Sequence, residues 1–414
     1  MMLRGQSFFN VPSADFTGNA ERKTSNAERR TLSGYPKKEA CLAPTSRRIL
    51  LIGNFIPQRQ HSMLQFEDSL TSGLQARGVA VRCLRPSPFF SRLWNRNRLI
   101  WKWLAYLDKF ILFPIRLALR RRRVPSEIIH ICDHSNAIYL HFLPRHRCLV
   151  TCHDLLAIRS ARGEFGVHLT AWTGRVLQQW VLSGLRRTSM LVCDSQATRS
   201  DLLRIIGPSP PSRIINMCVA DIYFSASHRR NAERQTPNAE RRTSFLLHVG
   251  GTQWYKNRPT ARQIYCRLRQ RMGNAAPGLL IIGEADNTPP QLGEQLLSDL
   301  PVAELAEYYR RADLLLFPSY AEGFGLPIIE AQASGCLVVT TGQPPMNEIG
   351  GEGAFYVADP ENVEGFVEAV QQVLTLDPTE ARRRQNLGYQ NAERFRTDAM
   401  VAGYLEIYQE MSDH

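Results

Sequence analysis

The chain has 414 residues, 43% of them hydrophobic and 21% charged, with a formal net charge of +13. That length exceeds one ordinary core and predicts two domains, and the composition excludes a largely solvated polymer. The positive balance predicts an anionic partner: nucleic acid, anionic lipid or a phosphorylated ligand.

Nine cysteines lie scattered without a CxxC pair or a His/Cys set of zinc spacing, so a reduced cytosolic protein is expected and no metal site. The first residues lack a long apolar stretch, so no signal peptide is expected. No uncharged apolar run reaches the length of about 18 residues that a membrane span needs.

Along the chain, "NAERKTSNAERRT" from Asn19 and "NAERQTPNAERRT" from Asn231 come first as oddities. Each is a tandem of seven-residue units without large apolar groups, so each is expected to be a disordered insert. The fold proper starts at "RRILLIGNF", Arg47 to Phe55, a short apolar run ending in Gly that reads as a buried parallel strand. "SMLQFEDSLTSGLQARG" comes next as an amphipathic helix. "VAVRCL", "EIIHICD", "RCLVTCHD" and "SMLVCDS" are strand-like, and Ser195 is placed to N-cap "QATRSDLLRIIG".

After the second insert the alternation restarts with "SFLLHVGG" and "PGLLIIGEA". The helix "VAELAEYYRRA" and the strand "DLLLFPS" come next, then the helix "LPIIEAQASG", with Gly335 as its C-terminal stop. "CLVVTT" and "GAFYVA" are strands, "VEGFVEAVQQVLTL" is a helix, and a last helical stretch runs from about Arg382 to Met411. This pattern predicts two Rossmann-like α/β domains facing across a cleft, with ligands at the carboxyl ends of the strands.

The richest segment is "PSYAEGFGLPIIEAQASG", Pro318 to Gly335, in which seven residues separate Glu322 from Glu330. A strand delivers the chain to a Gly-rich loop, and Leu326-Pro327 starts a helix. Gly323 and Gly325 permit close backbone approach to a ligand, and the helix N-terminus suits a diphosphate. A carboxylate buried inside a helix needs a partner, and a ribose diol would suit Glu330, while Glu322 would suit sugar hydroxyls. By spacing alone, a loop and a surface glutamate remain the plainer reading.

"AELAEYYRRADLLLFPSYAEGFGLPIIEAQASGCLVVTT" closely resembles the donor-binding segment of glycosyltransferase family 4, the group 1 glycosyltransferases. The resemblance covers most of Arg47 to Met411. It implies a GT-B fold and a retaining, metal-independent enzyme that takes a nucleotide-sugar donor as substrate and uses no cofactor. It implies that Glu322 contacts the transferred sugar and Glu330 the nucleotide ribose, with Gly323, Phe324, Gly325 and Leu326 lining sugar and phosphates. In "HVGGTQWYKNR", Lys256 matches the family's lysine on the diphosphate. Gly250 and Gly251 stand where many members carry an additional Arg, and Arg258 is the candidate replacement.

In the first domain, "VTCHDL" matches the family's His-Asp strand end, which puts His153 beside the reacting sugar. Asp133, His134 and Asn136 are expected near the cleft, structural or on the acceptor side. Gln60, His61 and Ser62 mark the expected acceptor loop. "INMCVADIYF" departs from the family's Asn-Gly-Val-Asp in the interdomain connection. The resulting division is a tail (1–46), an acceptor domain (47–205), a linker with its insert (206–243), a donor domain (244–390) and a final helix crossing back (391–414).

Residues 92–123 hold ten Lys or Arg against one acidic residue, Asp108, with Trp94, Trp101 and Trp103 interleaved. Lys102, Lys109 and Arg116 fall at helical spacing on one side, with Pro114 a candidate kink. An interfacial helix on an anionic membrane and a long core helix with a basic rim fit equally well. Nucleic acid is not expected, since no nucleic-acid-binding motif accompanies the charge. The leading expectation is sugar transfer to a carbohydrate or lipid-linked acceptor at the cytoplasmic face. The alternative is a degenerate relative that binds a sugar nucleotide or a membrane without turnover.

Overall fold

The computed structural model describes residues 48–58, 61–93, 98–120, 127–144, 147–166, 170–224, 244–286 and 288–413. Both Asn-Ala-Glu-Arg segments, Gln60 and Trp94 lie outside the described residues, as does the side chain of His61.

Two six-stranded parallel sheets organise the chain. The first contains β1 (Ile49–Ile52), β2 (Val81–Leu84), β3 (Ile128–Ile131), β4 (Cys148–Cys152), β5 (Met190–Cys193) and β6 (Ser212–Ile214), in the order β2-β1-β3-β4-β5-β6. The second contains β7 (Phe245–Val249), β8 (Gly278–Ile282), β9 (Glu294–Leu297), β10 (Leu314–Phe317), β11 (Leu337–Thr341) and β12 (Ala354–Val357), in the order β12-β11-β10-β7-β8-β9. Apolar runs such as ILLI in β1 and LLLF in β10 are buried on both faces, as helices covering both sides of a parallel sheet require.

The sequence pattern predicts neither β6 nor β9. Each is a polar edge strand, half-buried or exposed along its length, and lacks the apolar run that marks the central strands. β6 also lies inside the stretch read as linker.

The helices of the first domain are α1 (His61–Ala76), α2 (Arg98–Leu107), α3 (Phe113–Arg120), α4 (Leu156–Ala161), α5 (Trp172–Leu185) and α6 (Gln196–Ile206). Later in the chain come α7 (Arg258–Met272), α8 (Val302–Arg311), α9 (Leu326–Ala333), α10 (Met346–Gly350), α11 (Val363–Leu374), α12 (Pro378–Glu393) and α13 (Thr397–Asp413). Ser195 caps α6 by accepting from the Thr198 N–H at 3.1 Å. Past α9, Gly335 takes the left-handed backbone (φ +73°) that lets the Cys336 N–H reach the Ala331 carbonyl at 2.9 Å.

The basic stretch is a broken helix. A π-helical turn, Asp108–Leu112, separates α2 from α3 just ahead of Pro114. Asp108 is buried and accepts from the Phe89, Phe90 and Ser91 N–H groups and the Ser91 hydroxyl, at 2.7–3.1 Å, which accounts for the lone acid. The turn also corrects the expected cationic face. Its wider winding rotates α3 relative to α2, and Lys109 is buried while Lys102 and Arg116 stay exposed.

The last helix joins the two halves. α13 packs on α1 of the first domain, and Arg77 pairs with Asp398 at 2.7 Å. Its Tyr408 hydroxyl bonds His130 at 2.6 Å, and its Tyr404 hydroxyl bonds Thr151 at 2.7 Å, both inside the first domain. One apolar cluster runs from Phe66 and Leu70 through Val401 and Ile407 of α13 to Phe317 and Ile328 of the second domain.

Candidate active site

In each sheet the strand order reverses beside the first strand, between β1 and β3 and between β7 and β10. The loops at those strand ends carry the candidate residues, as expected where the order switches. In the second domain they are the loop after β7, with Gly250 and Lys256, and the loop after β10, with Glu322.

These two loops are tied together. Asn257, in left-handed backbone (φ +52°), donates from its side chain to the Pro318 carbonyl at 2.8 Å, and the Tyr320 N–H donates to the Tyr255 carbonyl at 2.8 Å. Lys256 and Glu322 therefore face each other, with Nζ 2.9 Å from Oε2. The lysine stem passes Gly250, where an added Cβ would meet it at 3.3 Å. The second oxygen of Glu322, Oε1, is buried and has no hydrogen-bond partner among the described residues.

α9 starts from Gly325, whose left-handed φ of +103° turns the chain into the helix. Gly323 is small for another reason. A Cβ there would lie 2.0 Å from the His153 carbonyl oxygen, so this loop seats directly against the first domain. The Gly323 carbonyl accepts from Ser195 Oγ at 2.7 Å and Thr198 Oγ1 at 3.0 Å. Phe324 and Leu326 are buried; the Phe324 ring packs edge-on against Phe395, so its side chain belongs to the core.

Glu330 is 5% exposed and accepts from the Tyr309 hydroxyl at 2.9 Å, and the Tyr223 hydroxyl lies nearby. Burial pushes its carboxyl up to about 7, against the lowering effect of the two tyrosine hydroxyls and Lys256.

Two expectations change on this geometry. Arg258 is not available to a diphosphate: its guanidinium is 3% exposed and donates to the Gly250 and Glu284 carbonyls at 2.7 Å and to Asp286 at 3.0 Å. It braces the turns after β7 and β8. His153 lies at the cleft edge through its backbone, while its ring points inward. Nδ1 meets Asp194 at 2.6 Å, and Nε2 meets the Cys132 carbonyl at 2.8 Å. Burial works to lower its pKa, but the Asp194 carboxylate dominates and raises it to about 9. The ring is thus a buried cation that fixes the strand end, with both nitrogens engaged.

On the first-domain side, Asp133 holds Asn54 through a 2.6 Å bond and accepts from the Ser135 N–H, and Asn136 bonds Asn54 in turn. Burial opposes ionisation of Asp133, yet His134, His153 and these hydrogen bonds hold its carboxyl below the usual range. Sequence reading missed Glu67. Its carboxylate fills the space that a Cβ on Gly53 would need, and it pairs with Arg85 at 2.7 Å. The one sequence signal was an acid on the otherwise apolar side of α1.

Between the domains lies a cavity of about 340 Å³, bounded by Asp154, Phe165 and Thr198 on one side and Tyr320, Glu322 and Gln343 on the other. Two Rossmann-like domains, a cleft, and a Lys/Glu pair at a strand-order switch define the GT-B architecture.

Solved structures agree on the fold. Sucrose-phosphate synthase from Thermosynechococcus elongatus superposes with a TM-score of 0.66 at 18% identity, covering 88% of this chain and 99% of its own. Anabaena HepE, in complex with UDP and glucose, gives 0.61 at 13% identity over 87% and 99%. Residues 230–394 match the family described as Glycosyl transferases group 1. Over that stretch, which holds most of the second domain, the chain is similar to the group 1 glycosyltransferases.

The D-inositol 3-phosphate glycosyltransferase of Corynebacterium diphtheriae is 25% identical over 257 residues, 58% of each chain. The O-antigen chain mannosyltransferase B of Escherichia coli is 26% identical over 216 residues, 49% of this chain and 56% of its own length. This chain spans 58–65% of the length of the first curated relatives it matches.

Proposed function

We propose that this protein is a retaining glycosyltransferase that moves a sugar from a nucleotide-sugar donor to a carbohydrate or lipid-linked acceptor, without a metal. The observation that carries the reading is the Lys256–Glu322 pair ahead of α9, with one buried glutamate oxygen unpartnered among the described residues. A diphosphate entering beside Lys256 and the N-terminus of α9 competes for the lysine and frees Glu322 to accept from sugar hydroxyls. The bond between the sugar's anomeric carbon and the diphosphate oxygen breaks. The acceptor oxygen bonds that carbon on the same face, and its proton passes to the departing diphosphate. Lys256 and the helix N-terminus stabilise the charge that develops on the leaving group. Glu330 takes the ribose diol, and His153 acts through the backbone it fixes against Gly323.

The test is donor binding and slow donor hydrolysis across a panel of nucleotide sugars. One donor is expected to be hydrolysed, insensitive to EDTA, with turnover falling about 10²–10³-fold in Lys256→Ala and Glu322→Gln. Binding without any turnover supports the degenerate alternative, and no binding at all overturns the reading.

The same proposal includes a peripheral position on the cytoplasmic side of a membrane. Among the described residues no helix is long and apolar enough to cross a membrane. Ile100, Trp103, Leu107, Ile111, Ile115 and Leu119 nevertheless stand exposed along the broken helix, with Trp103 at 66% and Leu119 at 72%. Trp172 and Val176 of α5 add to this apolar surface, and α5 meets the π turn through Trp180 and Phe110. Exposed Lys102 and Arg116 in the same segment favour an anionic lipid surface as its partner.

A further inference from the structure

The chain's excess of positive charge does not reach the cavity between the domains. Among the described residues lining it are three carboxylates, Asp154, Asp201 and Glu322, and one cation, Arg159. Arg159 is already engaged. It pairs with Asp201 at 2.8 Å and Glu164 at 3.0 Å, and its guanidinium lies 4.7 Å from the centre of the Phe165 ring. Asp154 uses Oδ1 to accept from the Leu156 N–H at 2.9 Å. The Glu322 side chain is 8% exposed, and its Oε1 has no hydrogen-bond partner among the described residues.

An anion entering this cavity meets carboxylates and an already paired arginine, so it is repelled. A hydroxyl-rich ring instead supplies the donors that the carboxylate oxygens lack. The rim adds a second feature. Phe165 of the first domain and Tyr320 of the second both line the cavity, and Trp254 lies between them, 4.8 Å from Phe165 and 6.1 Å from Tyr320 by ring centres. The Tyr320 hydroxyl donates to Glu361 at 2.9 Å, which fixes that ring. The three rings bridge the cleft as an apolar surface on which the C–H face of a sugar ring can pack.

We propose that this cavity receives the glycosyl acceptor as an uncharged sugar or polyol ring, packed against Phe165, Trp254 and Tyr320, and that Asp154 selects it against phosphorylated rings. The inference rests on the donor-site reading above and names the acceptor class for it. The reacting hydroxyl gives its proton to the departing diphosphate as its oxygen bonds the anomeric carbon. Asp154 accepts a hydrogen bond from a neighbouring hydroxyl and takes no proton. The diphosphate stays on the Lys256 side, away from Asp154 and Asp201.

The experiment uses the full chain with UDP-glucose, UDP-N-acetylglucosamine and GDP-mannose as donors. The acceptor probes are methyl α-glucoside, methyl α-mannoside and myo-inositol, each beside its monophosphate. Transfer is read as product mass and as acceptor kcat/KM. Wild type is expected to glycosylate at least one uncharged ring and to use its phosphate less well by about tenfold or more. Phe165→Leu is expected to raise the acceptor KM about tenfold with a smaller change in kcat, the effect of losing one aromatic contact. Asp154→Asn keeps Oδ1 for the Leu156 N–H and removes the charge. It is expected to narrow the preference over the phosphate by about tenfold.

Thermal melting identifies any variant that fails to fold, and the wild-type preference decides without the variants. Equal or better use of the phosphates overturns the proposal, as does the absence of transfer to any uncharged ring from a donor that the chain hydrolyses. A folded Asp154→Asn with the full preference, or a folded Phe165→Leu with an unchanged acceptor KM, does the same. If no donor is hydrolysed or used in transfer, the donor-site reading itself falls.

Discussion

At the scale of single residues, Glu330 shows a site in tension with its fold. Its folded pKa of about 7 lies above the ordinary value of 4.5, so the folded chain binds the extra proton more tightly than the unfolded chain. Its contribution to stability is therefore fully present below about pH 4.5 and is lost as pH rises through about 7. The loss at pH 8 is on the order of 3 kcal/mol. Glu330→Gln, which carries no charge to bury, is expected to melt several degrees above wild type at pH 8 and level with it at pH 5. Melting curves whose gap ignores pH would show that the carboxylate is comfortably solvated.

Glu322, Glu330 and Lys256 were legible in the sequence because a strand, a glycine loop and a helix start frame them within short stretches. Arg258 and His153 were not, because their partners, Asp286 and the Glu284 carbonyl for one and Asp194 for the other, arrive from other elements. Tyr223 and Tyr309 gave no signal, since an apolar helix position and a loop tyrosine look like ordinary core.

At the scale of elements, the central strands were legible from apolar runs, while β6 and β9 were hidden by their polar edge composition. The segment from Arg98 to Arg120 shows a limit of periodicity. Counting by sevens put Lys109 beside Lys102 and Arg116, and the π turn at Asp108–Leu112 carried it inside instead. The same turn keeps Ile111 and Ile115 outside, in line with Trp103 and Leu107.

An apolar stripe of this kind binds lipid through area and charge together. The chain is expected to co-sediment with vesicles containing a third or more of anionic lipid and to stay in the supernatant with purely zwitterionic ones. Trp103→Ser with Leu119→Ser is expected to reduce the bound fraction and leave donor hydrolysis in solution unchanged. Equal sedimentation of wild type and double variant would rule this surface out.

At the scale of the molecule, the two domains touch through their loops. The Glu348 carboxylate of α10 accepts from the Gln196 and Ala197 N–H groups at 2.8 and 3.3 Å, capping α6 from the opposite domain. The Gly323 contact with Ser195 and Thr198 closes the seam beside it. Glu348→Ala removes a charge-assisted pair of bonds, which leaves the nucleotide loops intact while weakening closure. Its expected signature is a lower kcat with nucleotide affinity little changed, together with a larger radius of gyration in solution scattering. An unchanged radius and kcat would mean that the seam holds without it.

α13 has a further consequence, for the order in which the chain is built. The first domain leaves a ribosome ahead of the second, yet the network around its buried His130–Thr151 hydrogen bond is completed only by Tyr408 on one side and Tyr404 on the other. The second domain must therefore be synthesised before the leading one is complete. Until then the face of α1 around Phe66 and Leu70 lacks the side chains of α13 that cover it. Premature termination ahead of Thr397 thus wounds the domain made first, and quality control in the cell would meet the fault far in sequence from the break.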